Sequence, residues 1–225
     1  RVDVSRFPVA TWARLTRQAL TEDRESLLRP VPHQGLPALR QAIARDLRDY
    51  KGMAVSAEQV VVGAGAEYLY LLLAQLLGPD TVLAVEDPGY PKIRLVYGKC
   101  GARCRPVPLD SQGLDMGALA ASGATAVHLS PSHHYPTGLV TPIGRRQELL
   151  RWASDTGGII IEDDYDSEFR FSGRPIPTLQ SIDGEGRVIY MNTFSQTISP
   201  AMRVGFMVLP PRLLERYRRE LDFYA

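Results

Sequence analysis

The sequence predicts an α/β fold in which a mainly parallel sheet of seven strands carries helices on both faces. Two observations lead to this prediction. Short apolar runs alternate along the 225 residues with longer stretches of helical periodicity. Most of these runs are continuously apolar, which is typical of strands that are covered on both faces. Helical crossovers between successive strands then favour parallel neighbours.

The predicted elements follow one another along the whole chain. Two stretches of helical periodicity precede the first apolar run, and further helical stretches lie between the later runs and after the last one. Pro91 suits the first turn of a helix, where its missing N–H group would have no partner. Strands are predicted over residues 59–62, 81–85, 103–107, 126–129, 159–161, 188–191 and 204–209. Helices are predicted over residues 9–20, 36–50, 66–77, 91–99, 116–121, 142–156 and 211–223.

Composition and charge exclude several classes of protein. The chain is 44% hydrophobic and 23% charged, which is typical of a globular protein and excludes collagen-like or disordered chains. Its 26 basic and 25 acidic residues leave a net charge of +1, so this segment is not expected to bind DNA by itself. No apolar run approaches the ~20 residues that span a bilayer, and the first residues do not form a signal peptide.

The cysteines and histidines lack the spacing of a metal site. Cys100 and Cys104 have no second pair near them, and no ligand spacing surrounds the four histidines. Two packed thiols in a reducing compartment are expected rather than a disulfide. We therefore predict a cytoplasmic protein with no bound metal and no membrane partner.

Two loops that follow the first two predicted strands contain candidate binding residues. Residues 62–67 form a strand-to-helix junction whose small residues let main-chain N–H groups approach an anion. A tight turn without a ligand is the other interpretation. Tyr90, held between Gly89 and Pro91, could stack on an aromatic cofactor, or it could simply be a tyrosine in a surface turn.

Three further loops are rich in polar residues. The adjacent histidines within residues 131–138 suit an acid–base or metal pair, or hydrogen-bonded loop positions. Residues 162–170 are strongly acidic, which indicates a metal cluster, a carboxylate that faces a protonated ring nitrogen, or a solvated loop. Hydroxyls and Arg203 within residues 192–205 suit a phosphate group, or a polar loop before a strand. Ligand sites of open α/β sheets lie beyond the carboxyl ends of the strands, where these loops are predicted.

Taken together, the five loops resemble the aminotransferase-like domain of MocR-type regulators, a GntR subfamily derived from fold-type I pyridoxal-phosphate (PLP) enzymes. The resemblance covers nearly the whole chain, and its most specific part is the acidic stretch followed by Gly173-Arg174-Pro175. It implies the large domain of fold-type I, class I/II PLP-dependent aminotransferases. The matching segments are residues 5–9, 35–40, 86–91, 133–138, 162–170 and 193–205.

The resemblance also implies how the chain is divided. Residues 1–50 would form an N-terminal helical segment, residues 51–210 the PLP-binding large α/β domain, and residues 211–225 the start of a helix toward a small C-terminal domain. Because the sequence starts without Met and ends within a helical pattern, we expect an internal piece of a longer protein. A winged-helix DNA-binding domain is then expected upstream. A homodimer is expected because sites of this fold type are completed by a partner subunit.

Individual roles follow from the resemblance. Asp163 would face the pyridine nitrogen and keep it protonated, Tyr165 would donate to the phenolic oxygen, and Tyr90 would stack on the ring. Tyr135 takes the place of an asparagine that binds the ring oxygen in the enzymes, and His133 precedes it in the same loop. The phosphate would be held by Ala64, Gly65, Ala66, Thr193, Ser195 and Arg203.

Gln196 occupies the position of the family's Schiff-base lysine. The lone pair of an amide nitrogen is delocalised into the carbonyl, so it cannot attack the cofactor aldehyde as a deprotonated lysine does. PLP would therefore be bound non-covalently at most, and transaminase activity is not expected. The sequence is compatible both with a deliberate change of this residue and with a natural loss of the lysine.

Two functions are compatible with the resemblance. In the first, the chain is the effector-binding part of a transcription regulator, which senses PLP or a small amino compound and alters DNA binding by the upstream domain. In the second, it is the large domain of a class I/II aminotransferase that acts on an amino acid and is inactive here through the glutamine. The acidic stretch and the loop with His133 and Tyr135 favour the regulator.

Overall fold

The computed structural model describes residues 7–22, 24–165, 176–194, 198–199 and 201–224. All seven predicted helices are present in it, with ends that differ by at most three residues from the prediction. A short additional helix, α2, follows the first. The helices are α1 (Val9–Glu22), α2 (Arg24–Leu27), α3 (Pro37–Lys51), α4 (Ala66–Leu77), α5 (Pro91–Lys99), α6 (Met116–Ala121), α7 (Ile143–Thr156) and α8 (Pro211–Glu220).

The predicted α/β fold is confirmed, but the described residues form eight strands instead of seven. The additional strand has only two residues, and it pairs antiparallel with the end of its predecessor, so it has no apolar run that could reveal it in the sequence. The strands are β1 (Val60–Gly63), β2 (Val82–Asp87), β3 (Arg103–Asp110), β4 (Gly113–Leu114), β5 (Ala126–Leu129), β6 (Ile159–Asp163), β7 (Val188–Thr193) and β8 (Gly205–Val208).

The sheet is mainly parallel, as predicted. Its strand order is β1-β8-β7-β6-β5-β2-β3-β4. Strands β3, β2, β5, β6 and β7 are parallel to their neighbours in this series, whereas β8 runs antiparallel to both β7 and β1. Between β7 and β8, the described residues 194, 198–199 and 201–204 form no helix, and the first residue of β8, Gly205, pairs with the last residue of β7, Thr193. Both ends of this connection therefore lie at the edge where the parallel strands end.

Helices cover both faces of the sheet because each helix has an apolar stripe and the strands are apolar on both sides. On one face, α4, α5 and α8 pack on side chains such as Leu83 and Ile161. On the other face, α6 and α7 pack on Val127 and Ile160. Helix α3 extends this second layer over β1 and β8, where Leu47 is buried. The carboxyl edge of the sheet remains the open rim on which a site can form.

Local sequence explains where helix α3 begins and ends. Helix α3 has proline at its first turn and stops at Gly52, whose φ of +66° is a left-handed conformation that favours glycine.

Helix α4 is apolar over most of its surface because it lies between the sheet and the neighbouring helices α5 and α8. Helix α1, in contrast, has no buried residue. Within the described part of the chain, no helix has the length and apolarity that crossing a membrane requires.

Candidate functional site

Asp163, the last residue of β6, lies in a buried hydrogen-bond network at the carboxyl edge of the sheet. The hydroxyl of Tyr70 on α4 donates to Asp163 Oδ2 over 2.7 Å, and His128 Nε2 on β5 lies 3.3 Å from the same oxygen. His128 Nδ1 in turn lies 3.2 Å from the hydroxyl of Tyr97 on α5. All four side chains are buried. Three separate elements therefore hold this carboxylate in one position.

The electrostatics of this network favour donation toward Asp163. Burial, assisted by the Asp163 charge, raises the pKa of Tyr70 and the pKa of Tyr97 well above the ordinary value for a phenol. Both phenols therefore keep their protons. A proton on Nε2 lets His128 donate to Asp163 while Nδ1 accepts from Tyr97. Such a carboxylate is suited to face a cationic group on a ligand.

Glu162 lies next to Asp163 but has a structural role. Its carboxylate accepts hydrogen bonds from the main-chain N–H groups of Leu179 (2.8 Å) and Gln180 (3.0 Å). Arg146 Nη1 lies 3.5 Å away and also donates to main-chain carbonyls. Burial and the nearby Asp164 charge raise the pKa of Glu162 to about 7, although Arg146 opposes this shift. Glu162 thus ties β6 to α7 and to the segment after residue 176.

Asp164 is tied to a different helix. Lys51 Nζ at the end of α3 lies 2.8 Å from Asp164 Oδ2, and the hydroxyl of Tyr190 on β7 donates to the same oxygen over 2.6 Å. Both members of the ion pair are buried. Across the described ranges, no three His, Cys, Asp or Glu side chains form a group that could hold a metal ion. The first acidic residues of this stretch therefore face separate partners.

Aromatic side chains lie beside the Asp163 network. Tyr90 and Tyr135 meet edge to face with ring centroids 6.0 Å apart, and His133 meets Tyr165 in the same way at 5.8 Å. Tyr90 immediately precedes α5 and has an exposed fraction of 39%. The side chains of His133 and Tyr135 are also exposed, so this rim offers ring faces and edges to a planar ligand.

A buried Glu–His pair lies behind this rim. His134 Nε2 is 3.6 Å from Glu86 Oε2, and the main-chain N–H of Ser130 donates to that oxygen over 3.0 Å. Burial raises the pKa of Glu86 to about 8 and lowers the pKa of His134. Glu86 lines a cavity of about 70 Å³ together with His128, Tyr90 and other residues. The pair joins β2 to the loop that carries His133 and Tyr135.

The first turn of α4 forms an anion site. Gly65 precedes the helix with a φ of +89°, and a β-carbon at this position would lie only 2.7 Å from Nη2 of Arg203. Arg203 makes an ion pair with Glu67, and Lys92 Nζ lies 2.8 Å from the other oxygen of that carboxylate. Lys92 and Arg203 lower the pKa of Glu67 to about 2, with the main-chain N–H of Glu67 acting in the same direction. An anion is therefore stabilised here by two cations and by a helix N-terminus.

With this geometry established, comparison with known proteins identifies the family. The model of the family "Aminotransferase class I and II" matches residues 2–225. The chain belongs to this family. Its members bind PLP. The predicted resemblance to fold-type I aminotransferases is confirmed.

The curated relatives of this aminotransferase-family chain include transcription regulators. It is 38% identical over 223 residues to the uncharacterised HTH-type transcriptional regulator YdeL of Bacillus subtilis (strain 168), covering 99% of this chain and 48% of the relative. It is 35% identical over 218 residues to the probable rhizopine catabolism regulatory protein MocR of Rhizobium meliloti, covering 96% and 44%. The chain thus spans about half the length of the curated relatives that it matches.

The solved structures that resemble this aminotransferase-family chain include aminotransferases. An archaeal alanine:glyoxylate aminotransferase superposes with a TM-score of 0.88 at 28% identity, covering 99% of this chain and 58% of the other. LysN, the α-aminoadipate aminotransferase of Thermus thermophilus complexed with N-(5'-phosphopyridoxyl)-L-leucine, gives 0.83 at 27% identity, covering 96% and 57%. The fold of this chain is therefore that of aminotransferase large domains.

The described residues fit PLP at two separate places. The buried Asp163 carboxylate, with its three supporting side chains, suits a protonated pyridine nitrogen. The first turn of α4 with Arg203 suits a phosphate, and the Glu67 carboxylate is an anion that already uses these donors. Glycine suits position 65 because its φ of +89° is strained for any other residue, and a β-carbon there would displace the guanidinium of Arg203.

The structure brings most of the sequence-predicted residues to one rim. Ala64, Gly65 and Ala66 lie at the start of α4, and Thr193 ends β7 opposite Gly205. Ser195 and Gln196 lie outside the described residues, as do the matching residues at 5–6, 166–170 and 173–175. Sequence reasoning missed the following partners of the acidic stretch and of the phosphate region: Tyr70, Tyr97, His128, Lys51, Arg146, Glu67 and Lys92.

The missed residues gave no local signal. Tyr70 lies 93 positions from Asp163, and Lys51 lies 113 positions from Asp164. A usable signal existed for His128, because a polar residue within the apolar run 126–129 requires a buried partner.

Proposed function

We propose that this chain is the PLP- and effector-binding domain of a MocR-type transcription regulator. The observation that carries the proposal is the Asp163 carboxylate, held at the sheet rim by Tyr70 and His128 near an anion site on the same rim. The regulator names of the relatives support regulation over metabolism. DNA binding would then belong to a part of the full protein outside this chain.

PLP, when bound, supplies an electron-withdrawing pyridine ring and an aldehyde that reacts with amines. In the proposed site, Asp163 holds a proton at the ring nitrogen, because a buried carboxylate stabilises an adjacent cation. Tyr165 donates to the ring oxygen, and Tyr90 packs on the ring face. His133 and Tyr135 would complete this part of the site, and their edge-to-face contacts with Tyr165 and Tyr90 support that assignment.

The phosphate group would be held by main-chain and side-chain donors together. Small residues at the start of α4 expose N–H groups, and Arg203 offers a planar guanidinium that matches phosphate oxygens. Thr193 lies at the same rim, at the end of β7, and its hydroxyl is a further candidate donor. The proposed phosphate ligands are Ala64, Gly65, Ala66, Thr193, Ser195 and Arg203.

The type of residue at position 196 distinguishes a sensor from a catalyst. The amide nitrogen of Gln196 is not nucleophilic, so this chain would bind PLP reversibly and would not transfer amino groups. The side chains that bind and orient the cofactor do not depend on that nitrogen. Binding without turnover is what a sensor requires, since occupancy then follows the ligand concentration.

The proposal includes an assembly. Residues 51–210 form the PLP-binding domain, residues 1–50 lead into it, and residues 211–225 begin a helix toward a small domain. The complete protein forms a homodimer in which a partner subunit completes the site. The effector is PLP itself or a small amino compound.

The experiment is a PLP titration of the full-length protein and its Asp163→Asn variant. The substitution keeps the shape of the side chain but removes its charge, so PLP affinity should fall by about a hundredfold, a loss typical of a buried charge left without its partner. Asp155→Asn on the exposed side of α7 removes the same charge and should leave affinity unchanged. Equal losses in both variants, or no PLP binding by the wild type, would contradict the proposal.

The aminotransferase alternative rests on the similarity to two solved aminotransferase structures. It predicts turnover by the full-length Gln196→Lys variant with an amino acid and a keto acid, and no PLP-dependent change in DNA binding by either form. The regulator proposal predicts the reverse: PLP changes the affinity of the wild-type protein for its operator DNA.

A further inference from the structure

The carboxylate of Glu67 collects three donors at the start of α4. Lys92 Nζ lies 2.8 Å from Oε1, Arg203 Nη2 makes an ion pair with Oε2, and the main-chain N–H of Glu67 also donates to this side chain. A helix N-terminus offers main-chain N–H groups to a bound anion, and here two cationic side chains add to that attraction. Glu67 therefore already occupies the kind of position that a phosphate would take.

The proposed phosphate ligands and the Glu67 partners overlap. Arg203 lies against Gly65 at the start of the helix, and it is also the cation that Glu67 holds. The three side chains are 33% (Glu67), 49% (Arg203) and 54% (Lys92) exposed, so they can exchange partners without unpacking the core. A phosphate and Glu67 would compete for one guanidinium.

Lys92 has a separate position in this arrangement. It contacts Oε1, the oxygen that Arg203 leaves, and it belongs to α5 rather than to the loop before β8. Lys92 can therefore keep the Glu67 carboxylate neutralised after Arg203 has moved.

We propose that Glu67 is an internal anion that holds Arg203 in the absence of cofactor and yields it to the phosphate of PLP, while Lys92 retains the Glu67 carboxylate. The inference rests on the proposed PLP function and deepens it. In this arrangement Glu67 influences the affinity for the phosphate group, whereas Asp163 binds the pyridine ring.

The first test compares PLP with pyridoxal, which lacks the phosphate, in the full-length protein. Glu67→Gln should tighten PLP binding by about threefold to fivefold, the range expected when an exposed ion pair no longer competes. Pyridoxal affinity should not change. The same variant should lower the thermal stability of the cofactor-free protein, because the ion pairs at the start of α4 are lost.

The second test uses Lys92→Met. Without Lys92, Glu67 depends on Arg203 alone, so PLP binding should weaken by about threefold while pyridoxal binding stays constant. In the Glu67→Gln background, Lys92→Met should have no more effect than Lys99→Met at the far end of the same helix. This double-mutant comparison separates an action through Glu67 from direct contact with the phosphate.

Glu220→Gln is the matched control for charge. Glu220 is also held by two arginines, Arg216 and Arg219, but on α8. Its removal changes the net charge equally and should leave PLP affinity unchanged. Weaker or unchanged PLP binding in Glu67→Gln, or equal changes for PLP and pyridoxal, overturns the inference while wild-type PLP binding still supports the proposed function. Absence of PLP binding by the wild type overturns both.

Discussion

The consecutive carboxylates of Glu162, Asp163 and Asp164 reach two environments because successive residues of a strand face opposite sides of the sheet. Glu162 and Asp164 lie on the face that α7 and α3 cover, where Arg146 and Lys51 balance their charge. Asp163 lies on the α4 face, where its partners are the hydroxyl of Tyr70 and the ring of His128, and no lysine or arginine among the described residues pairs with it. Only the middle carboxylate is thus left to balance a cation from a ligand.

The buried carboxyl group of Glu86 should make the stability of the folded protein depend on pH. Burial raises the pKa of Glu86 to about 8, above the ordinary value of 4.5 that applies in the unfolded chain. The folded protein therefore keeps a proton that the unfolded chain has lost, and stability falls as pH rises from about 5 to 8. Groups that face Glu86 are His134, the N–H of Ser130 and, more distantly, Asp163.

Glu86→Gln, which cannot titrate, should remove this decline. Relative to the wild type, the variant should gain up to about 1.4 kcal/mol per pH unit across the window, measured by urea unfolding of the cofactor-free protein at several pH values. Glu220→Gln is the control, because Arg216 and Arg219 lower the pKa of Glu220 and complete its titration below this window. A constant difference between the wild type and Glu86→Gln from pH 5 to 8 would show that Glu86 titrates normally.

At the scale of elements, the apolar runs were sufficient to predict the helices and seven strands, because continuous apolarity and helical periodicity are local properties. Strand β4 was missed because two residues carry no pattern. The five loops were also recognisable from their glycines, prolines and acidic residues. The side-chain contacts that join the elements could not be predicted. Nothing in the sequence around Lys51 on α3, for example, indicates that it pairs with Asp164.

The Lys51–Asp164 pair predicts how firmly α3 is held to the sheet. Lys51→Met removes the cation 2.8 Å from a fully buried carboxylate, so the free energy of unfolding should fall by about 3 kcal/mol. Adding Asp164→Asn should restore part of the loss, because the amide needs no counter-charge. Urea unfolding measures both effects, with Lys99→Met on exposed α5 surface as the control. A loss in Lys51→Met no larger than in Lys99→Met would mean that the pair contributes little.

At the scale of the whole molecule, buried carboxylates lie at the rim of the sheet, whereas helix α1 exposes apolar side chains. The net charge is only +1, and two of the buried carboxylates at the rim, Asp164 and Glu162, are paired with Lys51 and Arg146. Among the described residues, helix α1 exposes several large apolar side chains, of which Trp12, Leu15 and Leu20 are between 42% and 52% exposed. An amphipathic helix with this much exposed apolar area requires a further surface to cover it.

Homodimer formation is the prediction at this scale. In the full-length protein, light scattering should give twice the mass of one chain, because burial of the apolar stripe of α1 favours association. Trp12→Glu should shift the protein toward monomers, whereas Arg17→Glu on the same helix should have a smaller effect. A monomeric wild-type protein that binds PLP would contradict the predicted assembly.

The reversed direction of β8 has a consequence for how this fold can change its chemistry. Residues 194–204 leave the sheet at Thr193 and return to it at Gly205, two positions that face each other in the ladder, so both ends are fixed by the strands. The entropic cost of holding the two ends of such a segment together depends mainly on its length, so a change in its composition alters that cost little. The position occupied by Gln196 belongs to this segment, and its described residues between 198 and 203 contribute no side chain to the apolar packing on the two sides of the sheet. Under the proposed function, exchange of a reactive group for an inert one in this segment converts a catalyst into a sensor while the two strands that fix its ends persist.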